Sequence, residues 1–246
     1  MTVVVAGGNR GIGLEMARGL AQPGETVVIG YQRDDESAAA AVQQLGAQGI
    51  TAIAIREDLG TIEGCQRFVD AAARAGDGTI RVLVHSLVRV LQGPLLDHSP
   101  QDISHAFNVN AVSLLWLVHA ARPHLQRGSS ILFMSSRGST RVIPGYGSVG
   151  PAKALAESLI RNLAVELGPE GIRVNAISPG TQDTKALREV YGDKTDEKIE
   201  ASRKANPMRR LAGPHDYTAL ARFITSPEGE MLTGQVYMVY GGADLL

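Results

Sequence analysis

Two rhythms of apolar residues alternate along this chain. Short, nearly unbroken runs rich in Val and Ile lie at 2–6, 26–31, 51–55, 80–84, 130–135, 172–177 and 235–240, each bounded by Gly, Asp, Ser or Pro. Such runs predict strands covered on both faces. Between them the apolar spacing is three to four residues, predicting helices through Leu14, Ala17 and Leu20, through 38–45, and through Phe68, Val69 and Ala72. A further helix opens on Ser99 as N-cap with Pro100 first and Asp102 in its first turn, and continues through Asn110, Leu114, Leu117 and Val118. From Ala152 onward Leu155, Leu159, Leu163, Ala164 and Leu167 are expected to face the core, and Glu157, Arg161 and Glu166 water. A last helix covers 215–225. The charged stretch 185–210, broken by Gly192 and Pro207, interrupts the alternation and is expected to be a helical lid over a substrate. Strand and helix otherwise alternate from end to end without repeats or a linker. The pattern predicts an α/β protein with one doubly wound parallel sheet, a single domain over 1–246.

Composition narrows the ligand. The chain has 246 residues, 44% of them hydrophobic, and a formal net charge of -1 without a long basic run. This argues against nucleic acid or an anionic membrane as partner and favours a metabolite. A single cysteine, Cys65, excludes a disulfide framework and a cysteine metal site. The first strand begins at once, with no leader and no run of membrane-spanning length, so a soluble, cytoplasmic protein is expected.

Chemistry gathers at the carboxyl ends of the predicted strands, where open parallel sheets bind their ligands. The first strand runs into GGNRGIG and then a helix, the context of a dinucleotide site. Gly7, Gly11 and Gly13 would let the backbone approach a pyrophosphate at the helix N-terminus, with Asn9, Arg10 and Ile12 in the same turn. No acid stands at Gly30 or Tyr31 to take a ribose 2′-hydroxyl, while Arg33 and Arg10 are placed to meet a 2′-phosphate, so NADP is expected over NAD. Asp58 and Leu59 follow the third strand where an adenine amino group would sit. His85, Ser86 and Leu87 end the fourth, with His85 expected to be a hydrogen-bonded structural residue rather than a base. Asn110, polar within an apolar helical face, either widens the helix around a water or faces solvent. Ser135 and Ser136 leave the fifth strand, and Pro179, Gly180, Thr181 and Thr184 leave the sixth, where a threonine could bond a nicotinamide amide or a phosphate.

Tyr146 and Lys153 close the constellation. Seven residues apart, they would share a helix face roughly 10 Å apart along the axis if the helix included Tyr146. A phenol beside an ammonium suits a reaction in which an oxygen gains negative charge, the phenol giving a proton and the lysine holding a cofactor hydroxyl.

AGGNRGIG, Asp58, Asn110, Ser136, Lys153 and SPGTQDT stand in the order and spacing of the short-chain dehydrogenase/reductase superfamily, which the chain resembles over nearly its whole length. The resemblance implies a Rossmann fold, NADP(H), and Asn110, Ser136, Tyr146 and Lys153 as catalytic residues. In most members tyrosine lies four residues before the lysine, where Val149 stands here, and Asn-Asn-Ala-Gly replaces His85 to Val88. In both respects the chain is similar to the enoyl-acyl carrier protein reductases of the superfamily, whose Tyr-x6-Lys signature matches Tyr146 and Lys153. Their second tyrosine, ten residues earlier, is Ser136 here, and the usual opening threonine is Ala6. The resemblance implies hydride transfer to C3 of a 2-enoyl thioester in fatty acid or polyketide-type metabolism, with Tyr146 stabilising the enolate. It also implies a homotetramer built on 110–125 and 152–167. Lys198, Arg203, Lys204, Arg209 and Arg210 either meet an acidic acyl carrier protein or form a solvated charged face. The rival reading is a ketoreductase in which Ser136 and Tyr146 bond the ketone. A non-catalytic NADP-binding regulator is disfavoured because Tyr146, Lys153 and Asn110 are all present, and a hydrolase because no Gly-x-Ser-x-Gly occurs.

Overall fold

The computed structural model describes residues 1–245. Seven parallel strands form one sheet: β1 (Thr2–Ala6), β2 (Thr26–Tyr31), β3 (Thr51–Arg56), β4 (Ile80–His85), β5 (Ser130–Met134), β6 (Arg173–Ser178) and β7 (Val236–Met238), in the order β3-β2-β1-β4-β5-β6-β7. The chain winds outward from β1 to β3, then returns to place β4 on the other side of β1. Val5 therefore pairs with Ile29 in one direction and Val84 in the other. The order reverses between β1 and β4, which opens a crevice at their carboxyl ends.

Strand side chains alternate between the two faces. Val4 and Ala6 of β1 join a core with Phe68, Leu83, Leu114, Ile131 and Ile160, whereas Val3 and Val5 join a second core with Leu14, Val27, Leu132, Tyr217 and Ile224. The first core is roofed by α3 (Ile62–Ala75), α5 (Ser113–Ala121) and α6 (Gly150–Leu167), the second by α1 (Gly11–Leu20), α2 (Asp35–Gly46) and α9 (Pro214–Thr225). Both faces being covered explains why the strand runs lack polar alternation. No helix among the described residues is long and apolar enough to cross a membrane.

Several boundaries differ from the sequence expectation for local reasons. Helix α2 starts three residues before its alanine run because the Asp34 carboxylate accepts from the Ser37 N–H and caps it. Between α4 (Pro100–Phe107) and α5 the helix widens into a π turn, Asn108–Val112. Strand β5 stops at Met134, and β7 is only three residues long. Helix α6 begins at Gly150, so Tyr146 lies outside it, in the turn before. Its inner face is Ala152, Lys153, Ala156, Glu157, Ile160, Leu163 and Leu167. Leu155 is instead 41% exposed and Glu157 only 8%, the reverse of the expectation. The small side chains of Ala152 and Ala156 let the helix lie close on the sheet, which sets its rotation and turns Leu155 outward. The charged stretch forms two helices, α7 (Lys185–Tyr191) and α8 (Thr195–Ala205), and Leu187, Val190 and Lys198 on them line the cleft.

Candidate active site

The glycine turn between β1 and α1 is built for close approach. Gly7 has φ +82°, and a Cβ there would lie 2.8 Å from the Ser86 carbonyl oxygen; a Cβ on Gly13 would lie 1.9 Å from the carbonyl oxygen of Gly7. Gly11 has φ +53°, a left-handed conformation that a side chain resists. Helix α1 has no side-chain cap and no acid in its first turn. The N–H groups of Gly11, Ile12 and Gly13 have no intrahelical partners, an arrangement that receives a phosphate. The cleft beside this turn has a volume of about 1070 Å³. Gly7, Asn9, Arg10, Gly11, Ile12 and Gly13 line it, with Arg33, Asp58, Leu59, Ser86 and Leu87, then Ser135, Ser136, Tyr146 and Lys153, and finally Pro179, Gly180, Thr181 and Thr184. The predicted residues thus come from six strand ends into one elongated cleft that fits a dinucleotide.

Two predicted contacts are arranged differently. Arg10 Nη1 lies 2.5 Å from Asp34 Oδ2, so the guanidinium expected at a 2′-phosphate is already paired, while Arg33 is exposed. Thr184 caps α7 by accepting from the Leu187 N–H, and Thr181 donates to Ser202 at 3.3 Å. Both threonines border the cleft with their hydroxyls turned in part to α7 and α8.

At the other end, Lys153 is buried and reaches across the sheet. Its Nζ donates to the Met134 carbonyl at 2.8 Å and to the Leu87 carbonyl at 3.4 Å, and sits 4.4 Å from the centre of the Phe133 ring. Burial pushes its pKa down to about 7, against the upward pull of Glu157. Tyr146 reaches the cleft from the turn that precedes α6. Its carbonyl accepts from the N–H groups of Val149 and Gly150, and its ring rests on Gly138, where a Cβ would lie 2.8 Å from ring carbon Cδ1. Burial raises the phenol pKa, the Ser136 hydroxyl lowers it, and Tyr191 of α7 raises it. The phenol is therefore protonated at neutral pH, beside a serine.

Asn110 neither faces solvent nor lines the cleft. It is buried in the π turn and braces two loops, its amide donating to the carbonyls of Arg89 and Ser148 at 2.9 Å each and its oxygen accepting from the Arg89 N–H at 2.7 Å. The wider turn places this side chain between the loops after β4 and before α6, and so steadies the Tyr146 segment. His85 is structural, as its position suggested. Fully buried, it meets Ser113 Oγ at 2.8 Å, and burial together with the Lys153 charge lowers its pKa to about 3. A histidine that stays neutral to such low pH in the core is not a base for bound substrate.

Two residues not expected from sequence belong to the site. Glu157, assigned to water, is buried and accepts from Ser135 Oγ at 2.5 Å. Its signal was legible, since it stands one turn beyond Lys153 with Ala152 and Ala156 on the same face. Tyr191 lines the cleft opposite Tyr146, with Lys198 Nζ 5.6 Å from the centre of its ring. Leu187, Val190 and Tyr191 mark an apolar side of α7 toward the cleft.

Comparison with known proteins agrees with this geometry. Residues 6–244 match the family model described as enoyl-(acyl carrier protein) reductase. A hydroxynaphthalene reductase of Aspergillus fumigatus is 30% identical, covering 95% of this chain and 89% of its own. A versicolorin reductase of Emericella nidulans is 28% identical over 98% of this chain and 94% of its own. A short-chain dehydrogenase from Burkholderia cenocepacia, solved in complex with NADP, superposes with a TM-score of 0.87 at 33% identity, covering 98% of this chain and 97% of that one.

Proposed function

We propose that this chain, which belongs to the short-chain dehydrogenase/reductase superfamily, is an NADPH-dependent reductase acting on the ketone carbonyl of a polyketide-type substrate. The observation that carries this reading is the position of Tyr146 outside α6 and beside Ser136. A tyrosine moved three residues along a helix would shift by ~4.5 Å, which is the reason to expect a different acceptor such as an enolate. Here Tyr146 precedes the helix, and its phenol and the Ser136 hydroxyl line the same cleft side by side, a pair that could hold one carbonyl oxygen. The hydroxynaphthalene and versicolorin reductases among the relatives support the same reading.

The bound nicotinamide would supply the hydride. The glycine turn and the α1 N-terminus would hold the pyrophosphate, and Arg33, with Arg10 once released from Asp34, would hold the 2′-phosphate. Lys153 has three ammonium protons, two of them engaged by the Met134 and Leu87 carbonyls. The third would serve the nicotinamide ribose. Ser136 would position the substrate oxygen, and the protonated Tyr146 would donate to it as negative charge develops. Val88, Val90, Ile143, Leu187, Val190 and Tyr191 line an apolar substrate end suited to a ring system or an acyl chain.

A second reading, reduction of a 2-enoyl thioester, is favoured by one observation. Val149 fills the usual tyrosine position and is fully buried, so Tyr146 is the only phenol the α6 segment offers. The carrier-protein contact has less support, because Arg203 and Lys204 pair with Glu200 and Arg210 with Asp216. NADPH oxidation with 2-tetralone, acetoacetyl thioester and crotonyl thioester separates the readings. Ketone reduction should dominate, and Tyr146→Phe should lower kcat by about 10² to 10⁴ with NADPH affinity held. Turnover of crotonyl thioester with both ketones left untouched would transfer the assignment to the enoyl reaction.

A further inference from the structure

Glu157 is a buried carboxyl that the reduction itself does not use. It stands at 8% exposure on the inner face of α6, four residues beyond Lys153, and Ser135 Oγ donates to its Oε1 at 2.5 Å. Ser135 is itself fixed, its N–H donating to the Ile177 carbonyl at 2.8 Å. With its proton committed to Glu157, the Ser135 hydroxyl can present only lone pairs to the cleft it borders. No direct ion pair joins Glu157 and Lys153 among the described residues, and each is anchored separately, the carboxylate to Ser135 and the ammonium to the Met134 and Leu87 carbonyls.

Besides the Met134 and Leu87 carbonyls, the surroundings of Lys153 offer Glu157 as the acidic side chain that supports a positive charge among the described residues. On β4, His85 is neutral and repels a proton-bearing lysine only when itself charged, which its burial prevents near pH 7. Tyr146, from the turn before α6, stays protonated and uncharged. Tyr240, beyond β7, is pushed up to about 12 by burial, with smaller upward pulls from Asp244 and Glu157 and a downward one from its bond to Ser178. Arg137 and Asp244, which also act on Tyr240, pair with each other. The Phe133 ring adds a face for the cation but no charge.

We propose that Glu157 is a positioning residue for Lys153: a buried counter-charge that keeps the ammonium protonated, so that the lysine can donate to the ribose of the nucleotide at neutral pH. The proposal rests on the nucleotide-binding reading of the cleft and adds to it the group that holds the lysine in its working protonation state. Without the carboxylate, burial acts on Lys153 with no opposing charge, and its midpoint of about 7 in the intact chain lies where a small shift changes its charge most.

The experiment follows Lys153 directly. The chain has five lysines, and Lys185, Lys194, Lys198 and Lys204 are all exposed. The one buried lysine should therefore titrate apart from the rest in NMR spectra of protein labelled at lysine Cε. Glu157→Gln should move its midpoint acidward by about one pH unit, the lower end for loss of an opposite charge nearby. Glu157→Asp, which draws the carboxylate back from the site, should move it the same way by less. At pH 7 a one-unit shift takes the protonated fraction from about a half to about a tenth, so NADPH affinity read by fluorescence should weaken about fivefold there and match the native protein at pH 5.5. Circular dichroism and a thermal melt establish that each variant is folded, and the Asp variant alone decides the matter if the Gln variant is not. A Lys153 midpoint unmoved in a folded variant overturns the proposal. Failure of the native chain to bind NADPH at any pH would instead sink the cofactor reading, and the lysine titration would still decide the role of Glu157.

Discussion

Gly138→Ala tests whether the phenol stands where the reaction needs it. The new Cβ would lie 2.8 and 2.9 Å from Cδ1 and Cε1 of Tyr146, and 3.2 Å from the Cα of Gly150 on its other side. The helix backbone cannot retreat easily, because Gly150 N–H and Val149 N–H are both bonded to the Tyr146 carbonyl. The ring must move instead, by about 0.6 Å to reach ordinary contact, comparable to the misplacements of about 1 Å that cost 10²-fold in rate. The expected result is a kcat reduced by about 10- to 100-fold, with NADPH affinity within about twofold of native. The overpacking should cost stability by about 1–2 kcal/mol. Gly147→Ala is the control in the same turn, since its Cβ would meet only the flexible Leu95 side chain, at 3.3 Å. Steady-state rates from NADPH absorbance and affinities from NADPH fluorescence separate the two effects. A Gly138→Ala enzyme with native kcat and native affinity would show that the Tyr146 ring position does not set the rate, and the phenol would lose its role as proton donor.

Three further outcomes follow from the same geometry. Asp34→Asn keeps a capping residue on α2 while releasing Arg10, so NADPH should bind about two- to fivefold tighter and NADH hardly change, the scale of one exposed ion pair; Arg33→Ala should weaken NADPH alone, and equal effects on both nucleotides would exclude a 2′-phosphate site here. Burial depresses the folded-state pKa of Lys153 from 10.5 to about 7, so between these values the unfolded chain binds more protons and stability rises with pH. Lys153→Met should accordingly raise the melting temperature by a few degrees at pH 6–7, with the gain fading toward pH 10, and a gain that does not vary with pH would contradict the burial argument. Finally, Leu155 and Val165 of α6 are exposed at 41% and 78%, a second apolar face consistent with pairing of this helix across a two-fold axis, and light scattering at micromolar concentration should give a tetramer rather than a monomer.

Much of this protein is determined by its sequence alone. Two-sided strand burial, helix spacing and the glycine turn suffice for a doubly wound sheet, because each depends on residues close together in the chain: Gly13 comes up against the Gly7 carbonyl within the β1–α1 turn itself. Strand ends likewise announce the cleft, since a parallel sheet brings every βα turn to one edge, and Asp58, Ser86, Ser135 and Thr181 meet there as their positions predicted. The structure alone decided what depends on where a helix starts and how it rotates. Tyr146 and Lys153 read as one helical face, but the helix begins at Gly150, and Tyr146 stands beside Ser136 in the turn before it. Leu155 and Glu157 exchanged places for the same reason: hydrophobicity favoured the leucine inside, yet close packing of Ala152 and Ala156 on the sheet fixed the rotation and left the carboxylate in the core beside Ser135. Arg10 was legible as a cation at the turn, but its pairing with Asp34 required the end of β2 to lie against the start of α1, a tertiary contact on which spacing along the chain carries no information.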